Sequence, residues 1–254
     1  MTKSSRGPLV LGHRGYRARF PENTLLAFRK ALDAGAEGVE CDTQKTADGR
    51  YVVIHDANVD RVTGGAGEIG RMTLEELLRL DFGSGERIPL LEDLLRMLPS
   101  DAYLDLELKE ETLRPDDCEK IAVMCDMLRD RSMLMISSFG SHLLLPFKKK
   151  GFTVGYLVGE ETVQRGARAF ASTLLHLRPQ YLNLPVQIFE RIGDGAARFL
   201  CRFLRILGFR LLFWTVNTEE EAAKVLPFAR IIVTDEVGRI LATRSAGLQE
   251  LTRT

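Results

Sequence analysis

The sequence predicts an α/β protein, a (β/α)8 TIM barrel with a small insertion after its second-strand hairpin. Three observations carry that expectation. Short apolar strands alternate with helical stretches eight times along the chain. Its 254 residues suit one barrel domain spanning residues 1–254. No G-x-G-x-x-G follows the first strand, which argues against the doubly wound open sheet.

Composition narrows the setting. Hydrophobic residues make up 45% and charged residues 28%, as in a soluble protein with a sizeable core. The 35 basic and 35 acidic residues cancel, which argues against a general nucleic-acid binder. The N-terminus carries only a short apolar run before a charged motif, unlike a secretory signal. No apolar stretch approaches the ~18 residues a transmembrane helix needs. Cys41, Cys118, Cys125 and Cys201 form no C-x-x-C pair and suggest neither a zinc site nor a disulfide framework. A reducing cytoplasm is the expected compartment.

The elements follow in order. The first strand, 9–12, ends on His13, and a helix is expected over 24–34. The second strand, 38–44, alternates Val39, Cys41 and Thr43 with Glu40, Asp42 and Gln44, so Glu40 and Asp42 project from one side. Asp48-Gly49 is a turn signal, and the apolar run 51–54 completes a hairpin. A two-residue loop sets Asp42 opposite His55, and a four-residue loop sets Glu40 there. Both put His55 on the carboxylate face, whereas a three-residue loop sends it to the other side. Two acids and an imidazole on one patch suit a hard divalent cation beside a proton-transfer group.

Residues 57–89 interrupt the rhythm with a Gly-rich run, a short helix near 73–80 and Phe82-Gly83-Ser84-Gly85. This is too long for an ordinary βα loop, and it begins directly after His55. A cap over the C-terminal mouth of the barrel is expected. After a helix over 91–98, the third strand, 102–108, reads YLDLELK to residue 109. There Asp105, Glu107 and Lys109 share one face, with Glu107 and Lys109 at the strand's C-terminal end, pointing into the mouth.

The later strands are expected over 133–137, 153–158, 181–184, 211–216 and 231–234, and helices over 116–129, 141–150, 161–177, 189–207, 219–226 and 237–244. His142 and His176 fall on helices and read as surface or packing residues. Arg198, Arg202 and Arg205 stripe one face of an apolar helix, read as the solvent face of an outer barrel helix, with membrane-surface contact as the sharper alternative. Ser137 and Ser138 end the fourth strand with no general base beside them in sequence.

These motifs together resemble the glycerophosphodiester phosphodiesterase family. His13-Arg14-Gly15 followed by Pro21-Glu22-Asn23-Thr24 is similar to its opening signature. Ala27-Phe28, Glu40-x-Asp42, Thr46-x-Asp48-Gly49, His55-Asp56, Arg61-x-Thr63, Ile88-Pro89 and Glu107-x-Lys109 continue it, and Ser138-Phe139, Trp214-Thr215-Val216-Asn217 and Thr234-Asp235 extend it. The match is dense over 9–109 and sparse over 140–208. Val237 stands where the family usually has proline.

The resemblance implies hydrolysis of a small-molecule glycerophosphodiester to sn-glycerol 3-phosphate and an alcohol. It implies Glu40, Asp42 and Glu107 as ligands of Mg²⁺ or Ca²⁺, and His13 and His55 as the acid–base pair. Arg14 and Lys109 would lie near the phosphate, and Trp214 would line the pocket. A lysophospholipase D-type enzyme and a non-catalytic phosphodiester-binding barrel are the rival readings.

Overall fold

The computed structural model describes residues 7–164 and 166–251. Nine strands form one sheet: β1 Leu9–His13, β2 Gly38–Lys45, β3 Tyr51–Val53, β4 Tyr103–Leu108, β5 Leu134–Ser138, β6 Thr153–Leu157, β7 Tyr181–Pro185, β8 Arg210–Trp214 and β9 Ala229–Thr234. Eight of them run parallel in a closed ring, because β1 pairs with both β9 and β2. β3 is the addition. It pairs antiparallel with Thr43–Lys45 of β2, beyond the point where β1 stops at Glu40.

Alternation decides the two layers of core. Val10, Val39, Cys41, Leu104 and Leu106 face outward into the shell between strands and helices. Leu11, Tyr103, Met135, Tyr181, Leu212, Ile231 and Val233 face inward and close the barrel interior. All four cysteines are buried and unpaired. The helix Leu25–Asp33 begins where Thr24 accepts a hydrogen bond from the Ala27 amide. The expected helix over 189–207 is instead two, Ile188–Ile192 and Asp194–Ile206, divided where Gly193 turns to φ +80°. The stretch expected as one helix over 161–177 gives Glu160–Gln164 and Gly166–Leu177. Among the described residues no helix is long and apolar enough to cross a membrane.

The hairpin takes the register that the turn signal disfavoured. Thr43 pairs with Val53 and Lys45 with Tyr51, and the Thr46 amide donates to the Arg50 carbonyl, so the loop has three residues. Asp48-Gly49 is not a two-residue turn. Gly49 alone is left-handed (φ +79°), as in a type I turn closed by a bulge. Continued, this ladder would set His55 opposite Cys41, on the wrong face. The strand ends at Val53 instead, and the Gln44 side-chain amide draws the next turn inward, with Nε2 2.9 Å from the His55 carbonyl oxygen and 2.6 Å from that of Asp56.

Residues 57–89 form a satellite core rather than a loose excursion. Val59, Ile69, Leu77, Phe82 and Ile88 pack with Val52 and Ile54 of the hairpin.

Candidate active site

His13, Glu107 and Trp214 stand at C-terminal strand ends and Arg14, His55 and Lys109 just beyond such ends, while Glu40 and Asp42 lie inside β2, level with and beyond the end of β1. His13 ends β1, opposite Glu40 of β2, and Glu40 and Asp42 lie opposite Asp105 and Glu107 of β4. Ligand oxygens of Glu40, Asp42 and Glu107 all fall within 4.8 Å of one another. A chamber of about 130 Å³ is lined by His13, Arg14, Glu40, His55, Glu107, Lys109 and Trp214, seven of the eight candidate site residues. Asp42 joins them through the carboxylate cluster. A wider mouth of about 630 Å³ lies above, bordered by His55, Lys109, Phe139, Gly159 and Trp214. Phe139 meets Trp214 edge to face, at 6.0 Å between ring centres.

Two cations grip the carboxylates. Lys109 Nζ lies 2.6 Å from Glu107 Oε1 and 2.9 Å from Asp42 Oδ1. Arg14 reaches Glu22 at 2.8 Å and Asp42 at 3.3 Å, and its backbone amide donates to Glu40 Oε2. Arg14 (φ +51°) and Asn23 (φ +56°) hold left-handed backbone, at a cost of on the order of 1–3 kcal/mol each. That conformation aims the Arg14 amide at Glu40, and the Asn23 amide nitrogen donates to Asp42 Oδ2.

The charges test whether a metal fits. Two buried carboxylates and a half-buried one face two cations. Burial and then repulsion from Asp42 and Glu107 push Glu40 well above its usual range. Burial pushes Glu107 up to about 7 despite Lys109. Asp42 goes the other way: burial opposes ionisation, but Lys109 and Arg14 outweigh it and hold the carboxyl far below normal. Oxygen donors with uncompensated negative charge are what a hard divalent cation requires, so the residues fit one.

Both histidines are lowered, chiefly by burial. Each also holds a carboxylate that the sequence reading gave no role. His13 Nδ1 lies 2.8 Å from Asp235 Oδ1, and Asn217 Nδ2 donates to the other oxygen of Asp235. His55 Nδ1 lies 2.7 Å from Asp56 Oδ1. Asp56 and Asp235 stand in quoted motifs, but which histidine each serves appears only in the fold. Ser137 has its carboxylate partner on the neighbouring strand. No base adjoins it in sequence, yet its hydroxyl donates to Asp105 Oδ1 at 2.7 Å, and burial pushes that carboxyl up to about 8. Asn183 was missed altogether. It is fully buried, lines the chamber, and neither polar atom of its amide has a protein partner.

Residues 57–89, expected to cap the mouth, line neither cavity. They touch the site through Arg61, which binds both Glu22 and Asp56, the partners of Arg14 and His55. His142 and His176 lie on outer helices, away from the chamber.

Residues 13–239 match the model of the glycerophosphoryl diester phosphodiesterase family. This chain belongs to that family. A glycerophosphodiester phosphodiesterase of Caldanaerobacter subterraneus subsp. tengcongensis is 32% identical over 229 residues, covering 86% of this chain and 89% of that protein. The crystal structure of a glycerophosphodiester phosphodiesterase from Thermotoga maritima is similar, with 33% identity and a TM-score of 0.76 over 91% of this chain and 96% of that one. An Oleispira antarctica phosphodiesterase, solved with its product sn-glycerol-3-phosphate, superposes with a TM-score of 0.80 at 27% identity, covering 94% and 97%. Membership in the glycerophosphoryl diester phosphodiesterase family agrees with the ring of strands and the site at its C-terminal end.

Proposed function

We propose that this protein hydrolyses glycerophosphodiesters to sn-glycerol 3-phosphate and an alcohol, with Mg²⁺ or Ca²⁺ as cofactor and two histidines as acid and base. The observation that carries this reading is one chamber lined by His13, His55, Glu40, Glu107 and Lys109. Glu40, Asp42 and Glu107 would hold the cation, which when bound supplies Lewis-acid neutralisation of charge on the phosphoryl oxygens. Lys109 and Arg14 add positive charge on the same wall.

Asp235 and Asp56 occupy Nδ1 of the two histidines and leave Nε2 of each as the working nitrogen. One imidazole takes a proton from the attacking group, and the other delivers one to the departing alkoxide. His13 as base and His55 as acid is the assignment adopted. The unpartnered amide of Asn183 suits a glycerol hydroxyl, which donates to Oδ1 and accepts from Nδ2. Glycerol thus lies deep and the leaving alcohol faces the mouth. The buried, unpaired thiols support a reducing cytoplasm as the compartment.

The attacking group is the substrate's own 2-hydroxyl, tethered beside the phosphorus and favoured by effective molarity. It gives a cyclic 1,2-phosphate that water then opens. Ser137 stays engaged with Asp105 and takes no part.

The deciding assay measures sn-glycerol 3-phosphate released by purified protein from glycerophosphocholine, glycerophosphoethanolamine and glycerophosphoglycerol. No release from any of them refutes the proposal. A diester lacking the 2-hydroxyl should turn over at least ~10²-fold more slowly. Comparable turnover would mean that water attacks directly.

A further inference from the structure

A third cavity, of about 500 Å³, opens beside the mouth. It lies between the helices Gly166–Leu177 and Asp194–Ile206, and Phe170, Leu184, Ile188, Ile192, Leu200 and Leu204 line it. Its size and apolar walls are those of a small-molecule site rather than a packing defect. Gly159 borders both this groove and the mouth. A Cβ at Gly159 would stand 2.7 Å from Phe139 Cε1, so glycine lets the saddle between the two spaces lie this close to the Phe139 ring. The ion pair between Arg191 and Glu160 spans the same boundary, one partner on the groove and the other on the mouth.

The helix Asp194–Ile206, which walls the groove with Leu200 and Leu204, also carries exposed apolar side chains. The arginine-striped helix was expected to show solvent its charges. Arg202 and Arg205 are exposed, and so are Phe199 at 70% and Ile206 at 82%. Chamber and mouth share His55, Lys109, Phe139 and Trp214, and mouth and groove share Gly159, so the three spaces adjoin in that order and the last is the most apolar.

We infer that the groove binds an alkyl chain carried by the leaving alcohol of the diester. This rests on the proposed function, in which glycerol occupies the polar chamber floor and the alcohol faces the mouth. A chain on that alcohol passes over Gly159 and lies against Phe170, Ile188 and Leu200. A chain on the glycerol would start from the closed end, under Leu212 and Val233. The substrate class is therefore glycerophosphodiesters of long-chain alcohols, more than lysophospholipids.

The test compares kcat/KM, below micelle concentrations, for glycerophosphocholine, the decyl ester of sn-glycerol 3-phosphate, and decanoyl lysophosphatidylcholine. Each pair of methylenes buried is worth roughly tenfold, so the decyl ester should exceed glycerophosphocholine at least ~10-fold. Ala167→Trp, which fills the groove from an exposed helix position, and Ile192→Glu at its outer lip should each abolish that preference. Glycerophosphocholine turnover should stay within about twofold. Equal rates for the two esters, or a preference that survives both variants, overturns the inference. Faster cleavage of the lysophospholipid than of the decyl ester overturns the assigned orientation.

If none of the three is hydrolysed, the proposed function fails, and the groove is read separately by calorimetric titration with dodecylphosphocholine. Saturable binding weakened at least ~10-fold by Ala167→Trp sustains an alkyl site; absent or unchanged binding removes it. A solution dimer that Ala167→Trp disperses would make a second copy the occupant and refute the alkyl reading.

Discussion

Replacing Asp235 with Asn tests how His13 is poised. The carboxylate lies 2.8 Å from Nδ1, with side chains 11% and 19% exposed, so the interaction is only partly screened. Burial lowers His13, and the Asp235 bond offsets part of that effect. A hydrogen bond to a charged group contributes roughly 1.5–3 kcal/mol. The Asn side chain keeps a neutral bond, so about half that is lost, which is on the order of one pKa unit. The sign is fixed: without the anion, the imidazolium loses its proton at lower pH. One limb of the kcat/KM–pH profile should therefore move down by about one pH unit, and the limb belonging to His55, which has its own Asp56, should stay. If His13 is the base, the acidic limb moves. If it is the acid, the alkaline limb moves. Two unmoved limbs would show that Asp235 does not tune His13.

Chelation should abolish activity, with Mg²⁺ or Ca²⁺ restoring it. Saturating cation should also raise Tm by about 5–10 °C at a hundred times Kd, and Glu107→Gln should lose both effects; full activity in excess chelator refutes the metal site. His13→Ala and His55→Ala should each lower kcat by ~10² or more, while a p-nitrophenyl diester, which needs no acid, rescues only the variant lacking the acid. Equal losses on both substrates would dissolve the division of roles. Glu22 is held at about 2, because bonds from Arg61 and Arg14 overcome burial. Its stabilisation is present above the ordinary value of 4.5 and disappears as pH falls through 2. Glu22→Gln should cost up to roughly 3 kcal/mol at pH 7 in urea unfolding and much less at pH 3. An equal cost at both pH values would place the effect in packing.

Strand identity was legible because inward and outward residues alternate, and the alternation of Val39, Cys41 and Thr43 with Glu40, Asp42 and Gln44 survives intact in β2. The carboxylate cluster follows from two neighbouring parallel strands in register, Asp42 beside Glu107. Register in the hairpin was not legible, because one loop residue inverts every face and only the backbone of Gly49 decides it. The approach of His55 depends on Gln44, a side chain that looks like any polar strand residue. Pairings such as Ser137 with Asp105 or His13 with Asp235 join residues far apart in sequence, and no local pattern encodes them. The arginines of Asp194–Ile206 do mark a solvent face, but Phe199 and Phe203 between them are exposed too, which the arginine spacing did not reveal.

The bond between His13 and Asp235 spans 222 positions of chain and crosses the seam where β1 meets β9. A ribosome therefore makes one half of this contact near the start and the other near the finish. Until the ninth strand is laid in place, the first imidazole lacks the carboxylate at its Nδ1, however well the carboxylates of β2 and β4 are already arranged. On the proposed roles, turnover would report ring closure, and a nascent or nicked chain that keeps Glu40, Asp42 and Glu107 would hold a cation before it could cut.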